Sequence, residues 1–321
     1  MKRVLITGSD GFVGHALVKV LLETTDWHII CHQRNQNKSN KRLNEILLDN
    51  YKSRIEMTYF DICDAWPNIQ NLDIILHTAG VPSVTECIRD PRNAIKSNII
   101  GTFHGLELAR TQNLENFVLY STADIFGTSK KDLFDAYSRY NSNNPYAATK
   151  SSSEELCSAY RITYGVPTCA VHLTNTFGPR CQPERLAALA IKKIYTGDNH
   201  FIIHYRDGII SSRSWFHVED IAQQTLFILC LKEYQSKLAM PKFNLGNDIE
   251  IDNLKFISTI SDCLNQPFTY EFKTPDRIGH DILLPIDTSE IYQLGFKQKY
   301  SFEERMMQTV KWYKNNTDWL L

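Results

Sequence analysis

The sequence lacks an excess of charge of either sign. Its 321 residues include 35 Lys and Arg against 36 Asp and Glu, which gives a formal net charge of -1. Proteins that bind nucleic acid or a membrane surface usually carry a basic patch. Here the most basic stretch, Arg34 to Arg42, is short and interleaved with Asn and Gln. We therefore expect neither nucleic acid nor a membrane among the partners of this protein.

Long apolar runs and paired cysteines are missing as well. No stretch is apolar over the length that a bilayer requires, and the opening residues, MKRVLITG, show no apolar segment or cleavage site of a secretory leader. Eight cysteines are scattered along the chain, and no two have the C-x-x-C spacing of zinc or redox sites. This pattern predicts free thiols, no metal site and a cytoplasmic location.

The elements that are present alternate between short apolar strands and amphipathic helices over the first half of the chain. This alternation predicts an α/β fold of the Rossmann type, a doubly wound parallel sheet with right-handed crossovers. Strands are predicted at 2–7, 27–31, 55–60, 73–77, 116–121 and 167–172, and helices at 12–22, 94–109 and 146–164.

The alternation loosens after about residue 175. Helices are predicted at 183–195, 218–231, 254–264 and 302–315, with a short strand at 242–245. A chain of this length is expected to form about two domains. We assign residues 1–175 to a dinucleotide-binding Rossmann domain, whose sheet later segments are expected to complete. Residues 176–321 are assigned to a smaller, partly discontinuous α/β lobe for the substrate.

A glycine turn follows the first predicted strand and opens the first helix. In TGSDGFVG, Gly8 allows a tight turn, Gly11 lets the backbone approach a pyrophosphate and Gly14 lets the helix pack close to the sheet. The helix start, with Phe12 and Val13, offers free N–H groups to the phosphates. This context favours a dinucleotide site over an ordinary tight turn. Asp10 is expected to point away as a helix cap.

The end of the second strand bears on the choice between NAD and NADP. Proteins that bind NAD usually have an acidic residue here for the ribose 2′-hydroxyl, but the chain reads Ile-Ile-Cys-His-Gln-Arg. His32 and Arg34 would suit a 2′-phosphate, which slightly favours NADP. The alternative is that both are solvated loop residues and another group contacts the ribose. Asp61, after the third strand, is a candidate acceptor for the adenine amino group.

Tyr146 and Lys150 form a Y-x-x-x-K pair on one helical face. A tyrosine is a poor base at neutral pH, and a nearby ammonium group is expected to lower its pKa. Thr122, after the fifth strand, could share a hydrogen bond with a sugar oxygen. Such a triad suits removal of a hydroxyl proton while a nicotinamide takes hydride from the same carbon. Alone the pair is weak, but Asn98 in N-x-x-G and the glycine turn strengthen it.

With these motifs in place, the chain resembles the extended short-chain dehydrogenase/reductase superfamily, in particular nucleotide-sugar 4,6-dehydratases of the dTDP-glucose and GDP-mannose kind. The resemblance covers nearly the whole chain. The segments that carry it are TGSDGFVG, HTAG, STADIFG, PYAATK, NTFGPRCQPERL, SRSWFHVED, FNLGN and DRIGHD.

The resemblance implies roles for individual residues. Thr122, Tyr146 and Lys150 match the catalytic triad of the family, and Asp124 matches the position of its base. Positions that contact the cofactor are Gly8, Gly11, Phe12, Val13, Gly14, His32, Arg34, Asp61, Ile62, Ala79, Asn98, Tyr146 and Lys150. Positions that contact a nucleotide-diphosphate sugar are Ser83, Thr122, Asn175, Arg185, Leu186, Arg213, Asn244 and Arg277. Guanidinium groups suit diphosphate oxygens, although an arginine taken singly is as often part of a structural ion pair.

Two departures from the family pattern leave the reaction open. The dTDP-glucose dehydratases have Asp and Glu after the triad threonine, whereas this chain has Ala123 and Asp124. The base is present but one methylene shorter, and the usual acid is missing; Asp124 could serve as base and, once protonated, as acid. The other reading of Asp124 is a cap or a loop ion pair. Residues 79–86 look more like those of UDP-galactose 4-epimerases.

Three functions are therefore weighed. The leading one is an NAD(P)-dependent nucleotide-sugar 4,6-dehydratase that forms a 4-keto-6-deoxy sugar. The second is a nucleotide-sugar 4-epimerase or a related enzyme with a keto intermediate. The third is a cofactor-binding regulator without catalysis, which the intact Tyr146 and Lys150 disfavour. The resemblance also implies a homodimer built from the predicted helices at 94–109 and 146–164.

Overall fold

A seven-stranded parallel sheet organises the first half of the chain in the computed structural model. The structure describes residues 1–36, 41–44, 46, 49–129, 133–206, 208–231, 238–247, 249–274 and 285–320. The strands are β1 (Arg3–Thr7), β2 (His28–Gln33), β3 (Ile55–Tyr59), β4 (Ile74–His77), β5 (Asn116–Thr122), β6 (Thr168–Leu173), β7 (Asn175–Phe177), β8 (His200–Arg206), β9 (Ile209–Ile210), β10 (Ser212–His217), β11 (Lys242–Leu245), β12 (Glu250–Asp252) and β13 (Thr269–Lys273).

Helices cover the faces of this sheet. The α-helices are α1 (Phe12–Thr24), α2 (Lys41–Asn44), α3 (Val84–Arg89), α4 (Pro91–Ala94), α5 (Gly101–Arg110), α6 (Pro145–Tyr164), α7 (Leu186–Thr196), α8 (Val218–Leu229), α9 (Asn253–Leu264), α10 (Ser289–Gln293) and α11 (Phe302–Asn315). A π-helical stretch, Ile95–Ile100, joins α4 to α5. Short 3-10 turns occupy Asp49–Arg54, Ala123–Phe126 and Thr317–Trp319.

The strand order of the central sheet is β11-β6-β5-β4-β1-β2-β3, and every neighbouring pair is parallel. The inner strands carry buried Val, Ile and Leu side chains on both faces, because helices cover both sides of the sheet. The order reverses between β1 and β4, which opens a crevice at the carboxyl ends of these strands. The predicted Rossmann sheet is thus confirmed, and the reversal sets the place of the site.

Several predicted boundaries shift in the structure. The helix predicted at 94–109 is a composite of α4, the π-helical stretch and α5. The helix predicted at 183–195 begins at Leu186, after a turn at 182–185. β11 pairs with β6, and α8 packs against α1, so that segments beyond residue 175 complete the sheet and one of its faces.

The second lobe consists of β7 to β10, β12, β13, α7, α9 and α11, which pack around a core of their own. It contains two three-stranded sheets, of order β12-β10-β7 and β13-β8-β9. Its core is strongly aromatic: the rings of Trp215 and Phe256 stack with centroids 3.9 Å apart, and Phe177 packs edge-on against Phe256 and Phe302. This core holds β7 and β10 firmly beside the crevice.

Three further observations concern sites of other kinds. All eight cysteines are free, and five of them are buried. Within the described part of the chain, no three or more His, Cys, Asp or Glu side chains are grouped so that they could hold a metal ion. No helix among the described residues has both the length and the apolarity to cross a membrane.

Candidate active site

A cleft of about 1100 Å³ opens between the carboxyl ends of the central strands and the second lobe. Most of the predicted site residues line it. They are Gly8, Gly11, Phe12, Val13, Gly14, His32, Arg34, Ile62, Ala79, Ser83, Asn98, Thr122, Asp124, Tyr146, Lys150, Asn175, Arg185, Leu186 and Arg213. Asp61 and Asn244 are not part of this lining. Arg277, with its segment DRIGHD, lies outside the described residues.

The glycine turn forms a cradle that side chains would fill. Gly8 has a φ of +65°, and a Cβ at this position would lie 3.0 Å from the Cα of Ala79. A Cβ on Gly14 would lie only 2.2 Å from the carbonyl oxygen of Gly8. The N-terminus of α1 follows directly, with Gly11 as its N-cap. These residues fit a dinucleotide pyrophosphate, which needs close backbone approach and free N–H groups.

Asp10 does not cap α1 as the sequence suggested, because Gly11 holds the N-cap position and no side chain caps this helix. Asp10 instead lines the cleft. Its carbonyl oxygen accepts a hydrogen bond of 3.2 Å from Arg42, whose guanidinium also donates to the carbonyl of Arg180 at 2.9 Å. Arg42 therefore ties the glycine turn to the loop that precedes α7.

His32 braces the glycine turn. Its Nδ1 accepts from the backbone N–H of Gly8 at 3.2 Å, so its Nε2 carries the proton and donates to the carbonyl of Phe60 at 2.9 Å. Burial lowers the pKa of His32 to about 4. The ring is neutral and both its nitrogens are occupied. His32 therefore offers no positive charge to the 2′-phosphate that it was expected to accommodate.

Arg34 and Asp61 lie together at the edge of the cleft. The guanidinium of Arg34 is exposed, and its Nε is 3.8 Å from the Asp61 carboxylate. Asp61 accepts a hydrogen bond of 2.9 Å from the backbone N–H of Cys63, which is the main cause of its lowered pKa. The carboxylate of Asp61 is thus directed to its own turn, while its neighbour Ile62 lines the cleft.

Helix α6 and strand β5 bring the residues of the predicted catalytic triad together. Asn144 caps α6 by accepting from the N–H of Ala147 at 3.0 Å, and a proline at the first turn fixes the start of the helix. One turn separates Tyr146 from Lys150, so both project into the cleft. Thr122 ends β5, and its hydroxyl lies close enough to the phenol of Tyr146 to oppose the rise in the pKa of that phenol. The predicted triad is therefore assembled in one place.

The charge state of Tyr146 differs from the expectation. Burial and the nearby charge of Asp124 raise the pKa of Tyr146 well above its usual value, while the hydrogen bond from Thr122 and the charge of Arg185 oppose the rise. The net shift is therefore opposite to the lowering that Lys150 was expected to produce. Burial lowers the pKa of Lys150 itself to about 8, against the opposing charge of Glu154.

The two departures from the family pattern occupy different surroundings. Ala123 is buried in an apolar cluster with Ile125, Phe126 and Ile286, away from the cleft that the described residues form. Asp124 lines the cleft, and its charge acts on the phenol of Tyr146. The backbone N–H of Asp124 donates to the Thr122 hydroxyl at 3.3 Å. One carboxylate therefore faces the triad from this turn.

Asn98 acts as a clamp behind the triad. Its carboxamide accepts from the N–H of Val81 at 2.8 Å and donates to the carbonyl of Val81 at 3.3 Å. The side chain is 2% exposed and sits in the π-helical stretch, a feature that often marks functional sites. A Cβ on Gly80 would lie 2.7 Å from its oxygen, so the loop after β4 must approach closely.

The substrate side of the cleft comes mainly from the second lobe. Asn175 of β7 pairs in register with Trp215 of β10, and Arg213 lies two residues earlier on β10. Arg185 holds the N-cap position of α7, next to Leu186. Ser83, from the loop after β4, caps α3 by accepting from the N–H of Glu86 at 3.2 Å.

Asn244 has a structural role in place of the predicted substrate contact. It is 4% exposed, and its Nδ2 donates to the carbonyls of Phe134 and Asp287, each at 2.9 Å. Its Oδ1 accepts from His172 at 2.8 Å. The side chain is fully used inside the protein. Sequence reasoning also missed Glu154, which His172 contacts, although the spacing K-x-x-x-E places Glu154 one turn beyond Lys150.

Comparison with known proteins identifies relatives over the whole length of the chain. The dTDP-glucose 4,6-dehydratase 1 of Escherichia coli K12 is 30% identical over 99% of this chain and 94% of its own. The dTDP-glucose 4,6-dehydratase of Salmonella typhimurium LT2 is also 30% identical, with the same coverage.

Solved structures match the architecture. The dTDP-glucose 4,6-dehydratase DesIV of Streptomyces venezuelae, solved with NAD, superimposes with a TM-score of 0.87 at 26% identity, covering 99% of this chain and 98% of its own. A UDP-glucuronic acid 4-epimerase of Bacillus cereus, also solved with NAD, has the same fold, with a TM-score of 0.86 at 22% identity and coverage of 98% and 99%. Residues 4–246 match the profile of a family of enzymes that act on nucleotide sugars. The chain therefore belongs to the NAD dependent epimerase/dehydratase family.

Proposed function

We propose that this protein is an NAD(P)-dependent nucleotide-sugar 4,6-dehydratase, which converts a hexose nucleotide into a 4-keto-6-deoxy sugar nucleotide. The observation that carries the proposal is the presence of Asp124 in the same cleft as Thr122, Tyr146 and Lys150, close enough for its charge to act on the phenol. The relatives at 30% identity that are dTDP-glucose 4,6-dehydratases support it.

The triad supplies acid–base chemistry at C4 of the sugar. Tyr146 removes the proton of the C4 hydroxyl, and Thr122 holds the same oxygen in reach of the phenol. A bound oxidised nicotinamide supplies the hydride acceptor and a positive charge that favours the phenolate. Lys150, kept cationic below a pKa of about 8, adds to this effect. Loss of the C4 hydrogen leaves a ketone, which acidifies the proton at C5.

Asp124 then performs the elimination. As a carboxylate it takes the C5 proton, and as the resulting carboxylic acid it protonates the departing C6 hydroxyl, so that one water leaves across C5 and C6. C6 then takes back the hydride that C4 gave up, and C5 regains a proton from solvent, which completes the 4-keto-6-deoxy sugar and leaves the cofactor oxidised. A single carboxylate that serves twice accounts for the apolar residue at position 123. Arg213, Arg185 and Asn175 are assigned to the diphosphate and the sugar on the opposite wall of the cleft.

The test uses purified protein, NAD or NADP, and a panel of nucleotide hexoses with different bases. We expect a product that has lost one water, detected by mass spectrometry, with no net consumption of cofactor. Asp124→Asn should reduce elimination by about 10²- to 10⁴-fold. Asp135→Asn, at an exposed turn, is the matched control and should leave the rate unchanged. A panel that yields no dehydrated product contradicts the proposal.

A 4-epimerase is the second candidate, because Ala123 brings no carboxyl group to the position where dTDP-glucose dehydratases have an acid. An epimerase needs the triad but no acid or base at position 124. In that case the product has the mass of the substrate, and Asp124→Asn leaves the rate nearly unchanged. The same panel therefore separates the two reactions.

Of the two residues that the sequence analysis singled out for a 2′-phosphate, Arg34 is the one on which a preference for NADP over NAD now depends. His32 is neutral and bound to backbone groups, whereas Arg34 is exposed at the cleft edge. NAD is present in the solved relatives. Either nicotinamide dinucleotide fits the glycine cradle, and separate binding measurements with the two decide the preference.

We also propose a homodimer in the cytoplasm. Four large apolar side chains project outward from α3, the π-helical stretch and α5: Ile88, Ile95, Ile100 and Phe103, each between 37% and 48% exposed. A second copy of the chain would cover this face beside α6. Light scattering is expected to give twice the chain mass of 37.1 kDa, and a monomer at micromolar concentration contradicts this. The free thiols suit a reducing compartment.

A further inference from the structure

A carboxylate lies fully enclosed behind the triad. Glu154, on α6 one turn beyond Lys150, has no exposed surface. Its carboxylate accepts hydrogen bonds from the hydroxyl of Ser121, from the phenol of Tyr140 at 2.5 Å and from His172 Nε2 at 3.2 Å. The ammonium group of Lys242 lies 3.7 Å away. These partners lower the pKa of Glu154 to about 2 in spite of burial, so the group is an anion at neutral pH.

The orientation of Asn244 fixes the protons of His172. The amide nitrogen of Asn244 donates to two carbonyl groups, so the amide oxygen must be the atom that faces His172 Nδ1. Nδ1 is therefore a donor. Nε2 faces the carboxylate of Glu154 at 3.2 Å, and the two side chains form a buried pair.

The Glu154–His172 pair is connected to Thr122 and Lys150 through residues next to them in the chain. Ser121 directly precedes Thr122 at the end of β5, so its bond to Glu154 fixes the strand end that presents the threonine. Lys150 lies one turn before Glu154 on the same face of α6. On the other side, His172 contacts Asn244, whose amide nitrogen donates to the carbonyls at 134 and 287.

We propose that Glu154, oriented by His172, is a positioning residue of the dehydratase: it keeps Lys150 positively charged in its buried site and holds the end of β5 that presents Thr122. This inference rests on the proposed function for its kinetic part. Its electrostatic part concerns Lys150 alone and holds for any enzyme that uses this triad.

The surroundings of Lys150 leave this role to Glu154. The ammonium group is 8% exposed, and burial lowers its pKa to about 8. Among the groups that favour the cationic form of Lys150, Glu154 has the largest effect. The others, Cys157 and Cys87, are thiols that stay neutral at pH 7 because burial raises their pKa. His77 and Tyr146 also face it and are neutral at pH 7, since burial lowers the pKa of His77 and raises that of Tyr146.

The test compares Glu154→Gln with Glu155→Gln, a change of the same type at the exposed neighbour on α6. The titration of Lys150 is measured by competitive labelling with acetic anhydride, which modifies only the neutral amine, and peptide mass spectrometry. In Glu154→Gln, we expect Lys150 to become reactive at a pH lower by about one unit. The basic limb of the kcat profile should move by the same amount, with KM for the sugar nucleotide unchanged.

Two further variants keep the test decisive if Glu154→Gln does not fold. Glu154→Asp retains the charge and should restore the titration of Lys150. The double variant of Glu154→Gln and His172→Asn replaces both members of the pair and avoids leaving one of them without its partner. In the double variant, the titration should stay shifted. The inference is overturned if Lys150 titrates as in Glu155→Gln. A wild-type protein that turns over no sugar nucleotide contradicts the proposed function alone, because the labelling result does not depend on turnover.

Discussion

The carboxamide of Asn98 donates a hydrogen bond of 2.9 Å to the hydroxyl of Thr149, which joins the π-helical stretch to the helix of Tyr146 and Lys150. Together with its two bonds to Val81, this contact connects three segments of the cleft wall through one side chain. The position of α6 relative to the loop after β4 therefore depends on Asn98.

Replacing Asn98 by Ala should be costly for both stability and turnover. The change leaves the buried backbone N–H of Val81 without its partner and removes the bond to the Thr149 hydroxyl, and we expect the free energy of unfolding to fall by about 2–3 kcal/mol in urea denaturation. A small shift of α6 should lower kcat by tenfold or more, since about 1 Å of misplacement can cost 10²-fold. Asn93→Ala, on the same helical segment, is the control. Unchanged kcat in Asn98→Ala would show that the clamp does not position the triad.

Gly14→Ala should abolish cofactor binding. The added Cβ would lie 2.2 Å from the backbone carbonyl oxygen of Gly8, and neither atom can rotate away from the other. The control is Gly197→Ala at the C-cap of α7, where no atom lies within 4 Å of the added Cβ. That change has a positive φ and should cost only about 1 kcal/mol of stability. Calorimetric titration with NAD and with NADP measures the effect, and retained affinity in Gly14→Ala would contradict the cradle.

Lys150→Met should make the protein more stable and inactive at pH 7. The pKa of Lys150 is about 8 in the folded chain and 10.5 ordinarily, so folding disfavours the cation. This penalty, about 3 kcal/mol at most, is fully present below pH 8 and is relieved as the pH rises towards 10.5. Methionine removes the penalty, and turnover should fall by about 10²- to 10⁴-fold.

Urea denaturation at pH 7 and at pH 9 checks the stability change. The gain in Lys150→Met should be larger at pH 7, whereas exposed Lys311→Met should show no gain at either pH. A variant that is less stable than the wild type at pH 7 would refute the assignment of Lys150 as a buried, destabilising charge.

Arg34→Ala tests which cofactor is used. If Arg34 contacts a 2′-phosphate, its removal should weaken NADP binding by about tenfold or more and leave NAD binding unchanged, because a charge-assisted hydrogen bond is lost only with NADP. Arg92→Ala, at an exposed position on α4, serves as the control. Equal loss for both cofactors would place Arg34 against a group that they share.

The sequence was sufficient for the parallel sheet and for the grouping of Gly8, Thr122, Tyr146 and Lys150. Alternating apolar strands and helices leave few topologies, and the carboxyl ends of parallel strands then meet at one edge. The break of the predicted helix at 94–109 into a π-helical stretch was not predictable. The π-helical stretch occurs together with hydrogen bonds of Asn98 to residues 17 and 51 positions away in the sequence. No local sequence pattern encodes contacts over such separations.

Charge states and hydrogen-bond partners were also beyond the sequence. The pattern at the end of β2 suggested that His32 contacts a 2′-phosphate, but burial and two backbone partners make its ring neutral. Asn244 matched a substrate position by its motif, yet its amide is directed inward by Phe134, Asp287 and His172. In both cases the deciding partner comes from a distant part of the chain, and burial decides which partner a polar group must have.

The pairing of β11 with β6 has a consequence for the nascent chain. Until residue 245 has left the ribosome, β6 is an edge strand with unpaired backbone groups, although every residue of the predicted triad has already been synthesised. Such an edge invites pairing with other chains. Once β11 pairs, the edge of the sheet moves from β6, which has 6 residues, to β11, which has 4, and a shorter edge strand offers fewer unpaired groups to another chain.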